Sequence, residues 1–270
     1  MSVEYIVPDT LTDACRALEA QGAQCLAGGQ SLVAMMNLGL AAPERLVSLR
    51  RIAALRGIAT AREGGLRIGA MTTHAELALL RSDVPGAMLL AQAARVVAYP
   101  AIRNRGTIGG SVALADPAAD YPVALVAADA TIELASAGRA RDVPARDFFR
   151  GMFDTALAPG EVVAAIRIPP GAGSGTAYEK LSLVAGDFAI LSVAAIVGRN
   201  TDVAIGGYAM RPLLLTGLGV ADCEALDIAR RLDAFGEPPS DHRASAAYRR
   251  RVAPELVLRA VRAATQRALP

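Results

Sequence analysis

Residues 25–36 read CLAGGQSLVAMM. A short apolar segment runs into two adjacent glycines, a Gln and a Ser, and then into sequence with helical character. A tight turn needs one glycine, so the second points to something approaching the backbone closely. A strand entering a glycine pair at a helix start aims several backbone N–H groups, together with the helix dipole, at one spot that favours an anion. Two readings stay open: a phosphate cradle at Ala27, Gly28, Gly29, Gln30 and Ser31, with the two polar side chains adding hydrogen bonds, or a plain strand-to-helix turn capped by Ser31. The stretch is neither a GxGxxG dinucleotide fingerprint nor a Walker loop with its GKS or GKT.

The neighbouring sequence sets this loop in a small βαβ pattern. VEYIV at 3–7 is β-branched and stopped by Pro8; Thr10 stands ready to cap a helix over Leu11–Gln21, whose Leu11, Ala14, Cys15 and Leu18 share one face. Gly22 ends that helix, 24–26 reads as a buried strand, and RLVSL at 45–49 as another. Beyond them, LRGIAT and GLRIGAMTT flank a Gly64–Gly65 turn like a hairpin, and helical sequence returns over 73–80 and 86–97. Residues 123–130 read as a short helix or strand. TIELAS, ARDVP and EVVAAIRIP read as strands. The run PPGAGSGT at 169–176 is the clearest break in composition, and a domain boundary is expected there: 1–170 as the first domain and 176–270 as the second. The second supplies TAYEKLSL, AILSVAAIVG and DVAIGGYAM as three strands and two helical segments over about 221–233 and 243–268.

A second glycine-rich stretch lies in AYPAIRNRGTIGGSVALADPAADYP at 98–122. Thr107, Ile108, Gly109, Gly110 and Ser111 repeat the theme of small residues beside a hydroxyl, as a ligand with two phosphates requires. Asp120 reads either as a helix N-cap before Tyr121-Pro122 or as an acceptor for sugar or ribityl hydroxyls; metal or acid–base work by Asp116 and Asp120 lacks a further acid or His nearby in sequence. His74 and His242 have no partner at a triad or metal-ligand spacing and read as structural.

Composition narrows the rest. Among 270 residues, 28 Lys plus Arg face 26 Asp plus Glu, a net charge of +2 that makes no case for nucleic acid or an anionic membrane. Cys15, Cys25 and Cys223 form no CxxC pair, so neither a disulfide framework nor an iron–sulfur site is indicated. FAILSVAAIVG at 188–198 is about half the roughly 20 residues of a membrane helix and reads as a buried strand. No secretion signal opens the sequence, so a cytoplasmic location is expected.

Taken together, AGGQSLVAMM, GAMTTHAEL, RNRGTIGGSVALADPAADYP, EVVAAIRIP, AYEKLSLVAGDFAI and YRRRVAPELVLRA resemble the FAD-binding medium subunits of the molybdenum hydroxylases, the xanthine dehydrogenase and aerobic carbon monoxide dehydrogenase type. The resemblance runs from the first strand to the last helix. It implies an α+β fold: a two-part FAD-binding domain of the PCMH or vanillyl-alcohol-oxidase type, then a small domain with a three-stranded antiparallel sheet and a helical bundle. It implies that the 27–31 and 107–111 loops hold the FAD pyrophosphate, that Asp120 binds the flavin's polar chain, that Lys180 and Asp187 fill recurrent polar positions, and that Phe188 stands beside the isoalloxazine ring. Thr72 follows the family's IGAMT strand. The implied role is electron transfer from 2Fe–2S clusters of a small partner subunit, fed by a large molybdopterin subunit, to an external acceptor, in a dimer of heterotrimers. Three departures stand out: Ala34 replaces a customary Pro, the basic residue common near Gly39 is missing, and LSLVA before Gly186 lacks the basic residues usual there. A self-sufficient flavin oxidase or dehydrogenase and a cofactor-free assembly scaffold are the competing readings.

Overall fold

Short β-branched runs punctuated by Pro and Gly become strands, and the Ala- and Leu-rich runs between them become helices. The computed structural model describes residues 3–171, 174–198, 201–219 and 224–268. The first part contains β1 (Glu4–Ile6), α1 (Leu11–Leu18), β2 (Ala23–Leu26), α2 (Leu32–Asn37) and β3 (Arg45–Ser48). Its three strands form a parallel sheet in the order β1-β3-β2, so the glycine loop leaves the carboxyl end of an edge strand. Thr10 caps α1 by accepting from the Asp13 N–H at 3.1 Å.

The second part carries β4 (Ile58–Thr60), β5 (Leu66–Gly69), α3 (His74–Ala78), α4 (Pro85–Val96), α5 (Pro100–Arg103), α6 (Ile108–Leu114), α7 (Asp120–Ala127), β6 (Thr131–Ser136), β7 (Arg139–Pro144), α8 (Ala145–Phe148), β8 (Phe149–Gly151), β9 (Asp154–Thr155) and β10 (Val162–Ile168). Five of the strands form an antiparallel sheet in the order β4-β5-β10-β6-β7. Val47, Leu49, Ile52 and Leu55 pack with Met71, Val162 and Ala164, joining the small parallel sheet to this larger one.

The remainder holds β11 (Gly175–Leu181), β12 (Leu191–Val197), β13 (Thr201–Gly206), β14 (Leu213–Thr216), α9 (Ala225–Asp233) and α10 (Ala246–Ala268). Its antiparallel sheet has four strands, β11-β12-β13-β14, one more than the three read from sequence. The extra strand, LLLT, is a bare apolar run after Arg211-Pro212, and periodicity cannot assign so short a run to a sheet. Helix α9 begins at Ala225; residues 220–223, including Cys223 and the expected start of that helix, lie outside the described residues, as do 172 and 173 of the boundary run.

Helix α7 shows how the parts are joined. DYPVALVA is buried at all eight positions, as a helix covered on every side must be. It lies against α4 and against β12 and β13, and the central core accordingly includes Ala194 and Ala204 of the four-stranded sheet. On the sheet's other face α10 covers β11 and β12. Strand β12, LSVAAIV, is thus enclosed from both sides, which explains why it is apolar at every position but Ser192.

Candidate functional site

The loop after β2 takes the sharp path its glycines allow. Gly29 has φ +74°, a region glycine enters freely. Gly28 lies against the second glycine stretch: a Cβ here would overlap the Arg105 carbonyl oxygen and come within 2.8 Å of Gly106 Cα. Gly110 in turn faces Ala27, whose Cβ would lie 3.6 Å from a side chain at 110. The two stretches expected to share a ligand are neighbours in space, more than seventy residues apart in sequence.

Their hydrogen-bond capacity is unequal. Among the described residues, no group accepts from the backbone N–H of Gly28, Gly29, Gln30, Ser31 or Leu32. Ser31 makes no side-chain cap bond, so the plain capped-turn reading does not hold, and its hydroxyl stays exposed beside those N–H groups. Gln30 Nε2 donates to the Gly28 carbonyl at 3.1 Å, bracing the turn. In the second stretch the donors are occupied. Ile108 N–H bonds Thr72 O at 3.0 Å, Gly109 N–H bonds Ala70 O at 2.8 Å, Gly110 N–H bonds Thr107 Oγ1 at 3.2 Å and Ser111 N–H bonds Thr107 O at 3.1 Å. Thr107 is therefore the cap of α6, and Gly109 is a glycine because a Cβ would sit 2.5 Å from that of Ala70. The first stretch offers donors; the second offers a smooth, close wall. Five free N–H groups, an exposed hydroxyl and a glycine wall fit the pyrophosphate of a dinucleotide.

Thr72 departs from the expectation. It is buried, its hydroxyl donates to Gly57 O at 3.3 Å, and its carbonyl serves Ile108, so it supports the wall from behind and presents no side chain to a ligand. Asp120 departs as well. Ala119 holds the N-cap position of α7, and Asp120 opens the helix with both carboxylate oxygens engaged: the Tyr178 hydroxyl donates to Oδ1 at 2.7 Å and Lys180 Nζ to Oδ2 at 3.1 Å. Both ionic side chains are only 7% exposed. Lys180 also donates to Val96 O at 3.2 Å. Burial raises the Asp120 pKa, against the opposing pull of the Lys180 charge and the Tyr178 hydrogen bond. Asp120 and Lys180 meet each other, and their bond ties α7 to β11.

Past β11 the chain turns through 182–188 against Ala98, Tyr99 and Ala118. Gly186, at φ +85°, packs on Ala98 O and the Tyr99 ring, and Ala189 N–H bonds Ala118 O at 3.3 Å. Asp187 Oδ1 accepts from the Phe188 N–H at 2.8 Å, which fixes the backbone beneath an aromatic ring that remains 45% exposed. Over that ring, 5.5 Å from its centroid, lies the Arg243 guanidinium. Arg243 is held by Asp241 at 3.3 Å, and Asp241 in turn bonds the buried Arg249, which also donates to the Ile190 and Gly207 carbonyls. Burial pushes the Asp241 pKa up, but the Ala244 backbone N–H, the Arg249 guanidinium and the Arg243 backbone N–H hold it at about 2. Sequence reasoning missed Arg243, since nothing in its polar segment connects it to a residue 55 positions earlier. It is a positive charge beside the turn whose own sequence lacks one.

The family described as the FAD binding domain in molybdopterin dehydrogenase matches residues 1–171. The carbon monoxide dehydrogenase medium chain of Afipia carboxidovorans is 41% identical over 99% of this chain and 98% of its own length. The glyceraldehyde dehydrogenase medium chain of Sulfolobus acidocaldarius is 36% identical over 95% and 96%. Among solved structures, reconstituted CO dehydrogenase from Oligotropha carboxidovorans superposes with a TM-score of 0.91 at 36% identity, covering 99% of both chains. With a glycine-built anion cradle and full-length relatives of this kind, the chain belongs to the FAD-binding medium subunits of the molybdenum hydroxylases, an oxidoreductase component that uses FAD.

Proposed function

We propose that this chain holds FAD with its pyrophosphate on Gly28–Leu32, against the wall of Thr107–Ser111, and with its ring at Phe188, and that it passes electrons from a partner's 2Fe–2S clusters to an external acceptor. The observation that carries the reading is the run of five N–H groups without partners among the described residues, in a loop that packs on the second glycine stretch. An anion there meets oriented donors that need no rearrangement. FAD supplies the redox chemistry: it takes up electrons singly and delivers them in pairs. The chain's residues bind, place and tune it. Asp187 fixes the Phe188 backbone, Phe188 offers a face for stacking, and Arg243 adds positive charge on that aromatic ring. The words "medium chain" in the relatives' names support assembly with further subunits, which the family resemblance makes a large molybdopterin subunit and a small iron–sulfur subunit in a dimer of heterotrimers.

The test is to isolate the chain from its native cell extract, identify what co-purifies by mass spectrometry and record an absorbance spectrum. Flavin bands with a molybdopterin subunit and an iron–sulfur subunit are expected. A lone yellow protein that oxidises an added substrate would move the chemistry into this chain, and a colourless assembly would make it a scaffold.

A further inference from the structure

His74 is the one buried histidine, and the pyrophosphate reading gives it no task. It opens α3 behind Thr73, whose hydroxyl and backbone form a capping box with Glu76. This cap fixes where the imidazole points. The His74 N–H donates to Gly106 O at 3.0 Å, and Thr73 pairs with Thr107 as an isolated β-bridge. Its ring then touches the same glycine: a Cβ on Gly106 would lie 2.6 Å from His74 Nε2. On the other side, Nδ1 and the Tyr121 hydroxyl are 3.0 Å apart in a hydrogen bond. Gly106 is also the residue against which Gly28 of the first loop rests. One line of contact therefore runs from the first glycine loop through Gly106 and the imidazole to Tyr121, next to the Asp120–Lys180 pair.

We propose that His74 is a positioning residue: its imidazole is the post that sets the distance between the two glycine stretches and so the width of the pyrophosphate cradle. Burial, with the Arg103 charge nearby, lowers its pKa to about 4, so the ring stays neutral and can share a single proton with Tyr121. The charged group bearing on it is Arg103 of α5, and the titratable group facing it from α7 is Tyr121. An apolar side chain could fill the space but would leave the buried Tyr121 hydroxyl without its partner.

The inference rests on the reading that these stretches hold the FAD pyrophosphate, and the experiment separates the two. FAD affinity is measured by fluorescence titration of the apo-form of the full chain, in the complex with which it purifies, alongside a thermal melt of each variant. His74→Gln places its carboxamide near the Nε2 position and so keeps the contact with Gly106; His74→Asn places its carboxamide near the Nδ1 position, so it can reach Tyr121 but stops short of Gly106. His74→Gln is expected to bind FAD like the wild type, and His74→Asn about tenfold more weakly at an unchanged melting temperature, the equivalent of one lost buried contact. Gly110→Ala serves as the control for the site. If Gly110→Ala weakens binding while His74→Asn binds like the wild type, the post is overturned and the site stands. If Gly110→Ala and His74→Asn both bind FAD like the wild type, the pyrophosphate lies elsewhere and both readings fall. If His74→Gln and His74→Asn lose affinity equally, contact with Gly106 is not what matters and the post is again overturned.

Discussion

Replacing Lys180 by Met tests the joint between α7 and β11. The substitution keeps most of the aliphatic stem and removes the ammonium group 3.1 Å from Asp120, in a place where each side chain is 7% exposed. Breaking a buried ion pair from one side costs about 3–5 kcal/mol, because the remaining charge is stranded. Asp120 keeps the Tyr178 hydroxyl at 2.7 Å, so the lower end, about 3 kcal/mol, is expected. For a chain of this size that is a fall of about 6–12 °C in melting temperature. The pH dependence gives the sharper test. The Asp120 pKa is already raised by burial, with Lys180 opposing the rise, and it climbs further once that charge is gone. Between the unfolded and folded values the native state keeps a proton that the unfolded chain releases, so stability falls as pH increases through that window. The gap between wild type and Lys180→Met should therefore be widest near pH 8 and narrow on acidification. Adding Asp120→Asn removes the stranded charge and should recover much of the loss, giving a coupling energy from the double-mutant cycle. Melts followed by circular dichroism at several pH values measure all of this. A gap under about 1 kcal/mol that does not change with pH would show the pair to be as weak as a solvated surface bridge, and would refute the argument.

Three further outcomes are expected. Gly28→Ala pushes a Cβ into the Arg105 carbonyl and should lower both melting temperature and FAD content, whereas Gly110→Ala, with 3.1 Å to Thr107 Oγ1, should keep the fold and weaken FAD; flavin absorbance per chain and a melt of each decide. Arg243→Gln removes the positive charge over Phe188 and should lower the midpoint potential of the bound flavin, because a nearby cation favours the more negative reduced form, read by dye-coupled reductive titration. His74 titrates at about 4 when folded, against an ordinary histidine value of 6.5, so the unfolded chain takes up the proton first and stability drains as pH falls from 6.5 toward 4, by up to about 1.4 kcal/mol per unit; urea melts of His74→Gln should lack that part of the slope.

Much of this was legible in the sequence wherever local chemistry decides. Thr10 caps its helix, the 64–65 glycines turn a hairpin, and AGGQS lies between a strand and a helix, because caps and turns are set by neighbours a few residues apart. Both glycine stretches could be found for the same reason. Their mutual contact could not: Gly28 meets Gly106 through tertiary packing, to which periodicity is blind. Polar residues beside a glycine loop suit contact with a ligand, and sequence alone gives Asp120, Lys180 and Thr72 that role. Burial gives them other work, and burial is a property of the whole fold. LLLT was missed as a strand because four apolar residues satisfy a helix or a strand equally well. Arg243 left no sequence signal, since the contact it makes spans two loops.

The spread of the proposed site over distant segments gives the Asp120–Lys180 bond a meaning beyond stability. The proposed pyrophosphate donors belong to the loop after β2, while the proposed ring contact, Phe188, belongs to the segment after β11. A dinucleotide of fixed length must reach from one to the other, so the separation of the two segments has to be set by the protein. Three features set it: the buried α7, the ion pair from its first residue to β11, and the Gly186 turn seated on Ala98 and Tyr99. Arg249 does the same for the far wall, anchoring Asp241 and through it Arg243 to the carbonyls of Ile190 and Gly207. A buried charge is a poor way to gain stability but a good way to penalise every wrong alignment, since any shift strands it. On that reasoning Lys180→Met should widen the spread of Phe188 positions relative to the cradle, so that flavin affinity falls by more than the loss of one distant charge would explain.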